Sequence, residues 1–314
     1  MTHTNKYNIP HAIVSAVLKS SEHTQKSDIS VTQLIQPPRL LQLRRRHADK
    51  ITFDISDRVW SLLGQSVHSV LQLSDDHGAM HEERLQVQIN GWTVSGRTDS
   101  FVENEPVYDN TTGQIEWKKI PPTVRDYKLV KVMAADFPHP EWEQQLNLLA
   151  FLWRAHGFSV ASLQNVLIFR DWSPSMYKLQ TTVRKRDYPP PIKIVQAKLW
   201  DPQKAETFIH YRVRLHQSAV SLSDEMLPFC TPEEQWRKAH SWAVKTPSRQ
   251  SALKVFNNKD AALNFIKANH HRNAYIEFRP AAAVRCESYC EAAPFCNQKT
   301  LEAIQDTKAQ DEAV

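Results

Sequence analysis

Apolar positions follow two rhythms along this chain. One recurs every three to four residues and predicts helices. Val59, Leu63, Val67 and Val70/Leu71 mark a helix over 56–73. Trp142, Leu146, Leu149, Leu152 and Trp153 give a wide apolar face over 139–157, with Gly157 as the stop. Phe208, Tyr211, Val213 and Leu215 mark a helix over 202–220. Shorter helices are expected near Ala12–Lys19 and within 30–46, where Pro37–Pro38 break the pattern and Leu40, Leu41 and Leu43 form a core face. The other rhythm alternates and predicts strands. RLQVQIN turns at Asn90–Gly91, a strong hairpin signal, into WTVSGRTDSF. VRDYKLVKVM and NVLIFRDW follow, the first after a polar insert that turns at Asp109–Gly113.

Beyond residue 220 the character changes. Thr231 and Pro232 read as an N-cap and first helical residue. A short strand–strand–helix–strand pattern (SWAVK, ALKVF, DAALNFIKANH, YIEF) precedes RCESYCEAAPFCNQ. Residues 170–198 carry Arg and Lys interleaved with Tyr and Trp and read as a connection. The expected organisation is an arm over 1–29, a core over 30–200, a cysteine-bearing region over 201–300 and a polar tail over 301–314.

Composition narrows the function. The 314 residues hold six glycines against eighteen prolines, with no Gly-rich phosphate loop or dinucleotide fingerprint. A formal charge of +5 leans mildly towards a polyanionic partner. No apolar run approaches a membrane span and the N-terminus does not read as a signal peptide, so a cytoplasmic protein without a membrane partner is expected. In that compartment the four cysteines are not expected to form structural disulfides.

The chemistry gathers between Gly91 and Lys128. Asp126 and Lys128 share one face of a strand, with Tyr127 on the other. If the neighbouring run pairs with it, Asp99 reaches the same cluster. Two carboxylates beside a lysine suit a hard divalent cation and hydrolysis of a phosphodiester. Glu116-Trp117-Lys118 is a rival triplet, cut off by Pro121–Pro122. Gly64 stands one turn before His68 and leaves room to approach its imidazole. Arg44, Arg45 and Arg46, and Arg184, Lys185 and Arg186 in the basic connection, are candidate nucleic-acid contacts, though such runs are often plain solvated faces. Cys286, Cys290 and Cys296 fall within eleven residues, and Cys230 is the only other cysteine. That distribution fits a tetrathiolate site for zinc or a 4Fe–4S cluster.

Together these residues resemble the PD-(D/E)XK nuclease superfamily, in its RecB-like branch with a C-terminal iron–sulfur staple. Phage nucleases and CRISPR-adaptation exonucleases belong to that branch. Gly64 and His68 match its helical Gly-x-x-x-His, Glu83 its acid before the first core strand, Gly96–Asp99 its G-x-x-D, and Asp126–Lys128 its D/E-x-K. Gln145 matches its Gln-x-x-x-Tyr, with Leu149 in the tyrosine's place. Cys230 follows the core rather than preceding it, and the triplet is C-x3-C-x5-C. The resemblance implies an α/β restriction-endonuclease-like core, a mixed sheet flanked by helices, with a cysteine-stapled α+β extension. It implies a DNA exonuclease using Mg2+ or Mn2+ in DNA processing or recombination. His68, Glu83, Asp99, Asp126 and the Tyr127 carbonyl would form the metal shell. Lys128 would orient or help deprotonate the attacking water and stabilise the pentavalent phosphorus, and Gln145 would position that water or the DNA backbone. Cys230, Cys286, Cys290 and Cys296 would hold a 4Fe–4S cluster, or alternatively Zn2+. DNA is the implied partner, with recombination or helicase proteins beside it; the oligomeric state stays open. The alternatives are a non-catalytic nucleic-acid binder on the same fold and a zinc-stabilised interaction module.

Overall fold

A computed structural model describes residues 2–20, 27–74, 78–269, 271, 273–298 and 300–301. The chain begins with β1 (Thr2–Thr4), α1 (His11–Ser20), β2 (Ile29–Ser30), α2 (Val31–Leu34) and α3 (Pro38–Arg46). β3 (Thr52–Asp54) and α4 (Ile55–Leu71) lead to three long strands, β4 (Met80–Ile89), β5 (Trp92–Tyr108) and β6 (Ile115–Val130). Then come α5 (Pro140–Ala155), β7 (Ser162–Phe169), α6 (Pro174–Lys178), β8 (Ile192–Ala197) and α7 (Pro202–Val220). The C-terminal part holds β9 (Arg237–Lys238), β10 (Ser241–Lys245), β11 (Lys254–Phe256), α8 (Lys259–Ala268), β12 (Tyr275–Arg279), β13 (Ala282–Ala283) and α9 (Val284–Ser288). No described helix is long and apolar enough to cross a membrane. The expected tail lies, from residue 302 on, outside the described residues.

The elements form two compact units. The first comprises the described residues of Met1–Gln36 and Thr52–Ser221, the second those of Pro37–Ile51 and Leu222–Val314. The boundary expected at residue 200 is therefore corrected. Helix α7 belongs to the first unit because Arg212 Nε donates to the Leu34 carbonyl at 2.9 Å and Val213 and Ile209 are fully buried. Helix α3 belongs to the second. The N-terminal stretch is likewise more than an arm: Val14 and Val17 of α1 bury against Ile55 of α4, and β1 pairs with β3.

The first unit is a mixed α/β fold with a central mixed sheet flanked by helices. β4 runs antiparallel to β5, β5 antiparallel to β6, β6 parallel to β7, and β7 antiparallel to β8, with β2 adding a short parallel pair to β5. The β4–β5 turn uses Asn90 and Gly91 at φ of 50° and 80°, the left-handed values a tight two-residue hairpin requires. Strand β6 continues through Pro121–Pro122, against expectation. The pairing shifts there, from Val102↔Thr123 to Asn104↔Lys119, so a bulge takes up the two residues that lack an N–H. β8 lies within the stretch read as a connection; its residues are mostly exposed at a sheet edge.

Helix α5 packs across this sheet. Pro140 starts it, and Gly157 at φ 86° ends it. Leu146, Leu148, Leu149, Leu152 and Trp153 are all buried. Trp153 donates Nε1 to Thr98 Oγ1 at 2.9 Å and stacks on Phe101 with centroids 4.3 Å apart. Gly96 permits this close packing: a Cβ there would stand 2.6 Å from Leu152 Cδ1 and 2.7 Å from Leu149 Cδ2. Both leucines are buried and cannot swing aside. Gly96→Ala is expected to cost about 1–3 kcal/mol by overpacking. Gly64→Ala, where a Cβ meets nothing within 4 Å, is expected to gain up to about 1 kcal/mol of helix propensity. Denaturant unfolding of the two variants checks this contrast.

In the second unit, β10 is the centre of a three-stranded antiparallel sheet of order β11-β10-β12, with α8 packed on it. β9 pairs with β13. The strand–strand–helix–strand order matches the sequence pattern. Thr231 caps a turn rather than a helix, accepting from Glu234 N at 3.2 Å while its own N–H donates to Glu234 Oε2 at 3.0 Å.

Candidate functional site

The first unit brings His68, Glu82, Asp99, Asp126, Lys128 and Gln145 together from five elements, α4, β4, β5, β6 and α5. Helix α4 carries His68. Its start is pinned by Asp54, which caps it by accepting from Ser56 N at 3.0 Å; bonds from Ser56 Oγ at 2.6 Å, Lys6 N at 3.0 Å and Thr4 Oγ1 at 2.8 Å hold its carboxyl far below the usual range. Part of this helix's apolar surface is not covered. Leu63, Trp60 and Val70 are 41%, 56% and 68% exposed, and Ile55 alone is fully buried. The last turn of the helix presents His68 to the sheet.

His68 Nδ1 lies 3.2 Å from Asp99 Oδ1 and 3.8 Å from Glu82 Oε1. Among the described residues, His68, Glu82 and Asp99 form a group whose ligand atoms all lie within 4.8 Å of one another. The acid is Glu82, and the expectation of Glu83 is corrected. The register pairs His81 with Ser100 and Glu83 with Thr98, so Glu82 falls opposite Asp99. Its backbone takes a φ of 55°, and its side chain is only 8% exposed while Glu83 is exposed. Arg97, which the sequence reading missed inside its own G-x-x-D motif, holds Glu82 Oε2 at 2.7 Å. Asp99 Oδ2 accepts from the Tyr127 N–H at 2.8 Å, which ties β5 to β6 at the site.

Asp126 and Lys128 project together, as the alternation predicts. Lys128 Nζ meets Asp126 Oδ2 at 2.6 Å and donates to Gln145 Oε1 at 2.9 Å, while Gln145 Nε2 donates to Asp126 Oδ1 at 3.0 Å. The three side chains close a ring that fixes the lysine. The rival triplet stands on the far part of the hairpin, with Glu116 and Lys118 paired at 3.6 Å and mostly exposed. Leu149 is a packing residue against Gly96.

The electrostatics are those of a site with surplus negative charge. Burial pushes the carboxyls of Asp126 and Glu82 up, against the pull of Lys128 and Arg97 respectively. The hydrogen bond to Asp99 raises His68, against burial. An imidazole and two carboxylates at this spacing are donors that suit Mg2+ or Mn2+. Protons and cation compete for these groups, and the raised values extend that competition to higher pH. Mn2+ is therefore expected to raise the melting temperature more at pH 8 than at pH 5.5. At a hundredfold excess over Kd the gain is about 2.7 kcal/mol. Glu82→Gln is expected to remove most of the gain and Glu83→Gln none of it, as read by thermal melts with and without the ion.

The second unit gathers the four cysteines, none of them in a disulfide, around a cavity of about 280 Å3. Ala282, Ala292 and Ala293 supply small walls. Arg39 of α3, 1% exposed, donates Nε to Cys296 Sγ at 3.3 Å and its terminal nitrogens to the Leu227 carbonyl and Asn297. Gln298 clasps Cys230, with Oε1 accepting from its N–H and Nε2 donating to its carbonyl, both at 2.8 Å. Burial pushes the Cys230 thiol up to about 12 and raises that of Cys290.

Of the basic candidates, Arg46 is held by Asp224 at 2.7 Å, Arg44 is half-buried and Arg45 exposed. Arg184, Lys185 and Arg186 are exposed. The first trio belongs to the second unit and the other to the first.

No family model and no curated protein sequence matches this chain. Among solved structures, the crystal structure of SSO0001 is similar over 65% of this chain and 84% of its own, with 16% identity and a TM-score of 0.41.

Proposed function

We propose that this protein is a metal-dependent deoxyribonuclease, built on a restriction-endonuclease-like core, that hydrolyses phosphodiester bonds in DNA. The observation that carries this reading is the juxtaposition of His68, Glu82 and Asp99 with the ring of Asp126, Lys128 and Gln145. Buried carboxylates repel a phosphate unless a cation intervenes, so a pure nucleic-acid binder has no use for them. His68, Glu82 and Asp99 would hold Mg2+ or Mn2+, with Asp126 and the Tyr127 carbonyl as further oxygen donors. The bound cation supplies Lewis acidity towards the phosphate and lowers the pKa of the attacking water. Lys128 is held against Asp126 at 2.6 Å, and its ammonium counters the charge that grows on the phosphate oxygens. Gln145 holds both side chains in register. Arg97 steadies Glu82 in the inward position.

The same reading gives the cysteine cavity a metal centre. Four thiols aimed at one space repel one another as thiolates unless a cation takes them up. The Arg39 guanidinium beside Cys296 favours negative charge there, and hydrogen bonds to sulfur are a recurrent feature of iron–sulfur sites. A 4Fe–4S cluster is the assignment; Zn2+ is the alternative.

End-labelled linear and closed circular DNA, incubated with Mg2+, Mn2+ or a chelator, test the enzyme. Loss of the linear substrate alone identifies an exonuclease, and loss of both an endonuclease. DNA retained but uncut with either ion overturns the reading in favour of a binding protein.

A further inference from the structure

The positive charge of this chain is concentrated in one short stretch. Residues 237–283 hold nine Lys or Arg against two Asp or Glu, a formal charge of +7, whereas the whole chain carries +5. The remainder of the chain is therefore net acidic. The stretch folds as β9 to β13 with α8. The strands of its three-stranded sheet carry one carboxylate, Glu277, and two cations share it, Lys245 Nζ at 3.1 Å and Arg279 Nε at 3.0 Å. Lys238, Arg249, Lys254, Lys259 and Lys267 are exposed.

One face of that sheet is aromatic. Trp242 of β10 stands across from Phe256 of β11 and from Phe278 of β12. Opposed residues of antiparallel strands share a face, so the three rings form a row across the sheet. Helix α8 packs on β10 and β11, where Phe265 meets Phe256 with centroids 5.3 Å apart. At the β12 end the row is open. Phe278 is 57% exposed, with its centroid 5.5 Å from that of Trp242 and 6.1 Å from that of His240, which is exposed too. Lys254, across from Val244, projects on the same face, its Nζ 5.3 Å from the Phe256 centroid. Exposed rings rimmed by charge mark an interaction surface.

We propose that this sheet of the second unit binds a single-stranded nucleic acid, with bases stacking on Phe278 and Trp242 and phosphates meeting Lys238 and Lys254. Open rings beside clustered cations are what a single strand needs, since its bases are free to stack and its backbone is a polyanion. In a duplex the base faces are already stacked on one another and cannot reach the rings. The binding site is separate from the carboxylate cluster of the first unit and does not depend on the cleavage chemistry.

The test follows fluorescence anisotropy of a labelled oligothymidylate of about twenty nucleotides, and of a duplex of the same length, with the full chain and no divalent ion added. Under that condition the carboxylates of the first unit repel phosphate, so binding reads the basic sheet. The single strand is expected to bind tighter than the duplex. Phe278→Ala is expected to weaken it about 5–150-fold, the range for one base stacked on an aromatic ring, and Phe278→Trp to retain it. Lys238→Ala and Lys254→Ala are each expected to lower the slope of log K against log salt by about 0.7. These two exposed positions decide the matter if Phe278→Ala does not fold. A wild type that leaves the strand unbound, or binds the duplex as well, overturns the proposal. So does wild-type binding by Phe278→Ala, or an unchanged salt slope in both lysine variants. Binding to phosphatidylglycerol vesicles but not to the strand makes the surface a membrane contact and overturns it as well. Cleavage with Mg2+ or Mn2+ tests the nuclease reading separately, and neither result there alters this one.

Discussion

Lys128→Ala is expected to lower DNA cleavage by about 10²–10³-fold or more, the scale of losing one group that stabilises transition-state charge. DNA binding is expected to persist. Lys128 is the only cation bonded to Asp126 in the ring, at 2.6 Å, and it is fixed from the other side by Gln145. Removing it also leaves Asp126, 3% exposed, without its counter-charge. The Asp126 carboxyl, already raised by burial, then moves further up and retains a proton to higher pH. Activity lost through that route is partly recovered at alkaline pH, whereas the loss of the ammonium itself is not. Lys118→Ala, on the exposed rival triplet, is expected to keep wild-type activity. A single-turnover pH profile of both variants separates these effects. Wild-type rates in Lys128→Ala would remove the lysine from the mechanism.

Replacing Cys290 by serine is expected to have the largest effect on stability. A structural thiolate centre contributes about 10 kcal/mol or more to the folding of a small domain. Among its described residues the second unit has one three-stranded sheet, the β9–β13 pair and three short helices to fall back on. Protein purified without oxygen is expected to carry iron and sulfide with visible charge-transfer absorption, and Cys290→Ser to lose both along with solubility. One tightly held zinc in colourless wild-type protein would change the metal and keep the centre. Protein without metal whose four thiols titrate freely would sink it.

The central helices and the Asp–Lys pair were legible in the sequence because each depends on local periodicity. The 3.6-residue stripe places Leu146 to Trp153 on one face, and the two-residue alternation puts Asp126 with Lys128. What was not legible depends on contacts between distant residues. Choosing Glu82 over its neighbour needs a positive φ in a strand, which no composition signals. β8 was missed because an exposed edge strand carries no buried alternation. The α4 stripe looks like a core face, since apolar periodicity does not reveal whether anything covers it. The placement of α3 in the second unit is set by Arg39 and His47, whose partners lie more than 170 residues away.

That last distance has a consequence during synthesis. Arg39 leaves the ribosome 188 residues before the Leu227 carbonyl it will bond. At about 5–20 residues per second, helix α3 waits roughly 10–40 s for the unit it completes. Leu41 and Leu43, 1% exposed in the finished protein, have no cover in that interval. Three consecutive arginines directly follow them, and charges flanking an apolar run hold off self-association. Arg44, Arg45 and Arg46 thus place charge directly beside that apolar pair from the start of synthesis, long before Asp224 is made to take Arg46 at 2.7 Å.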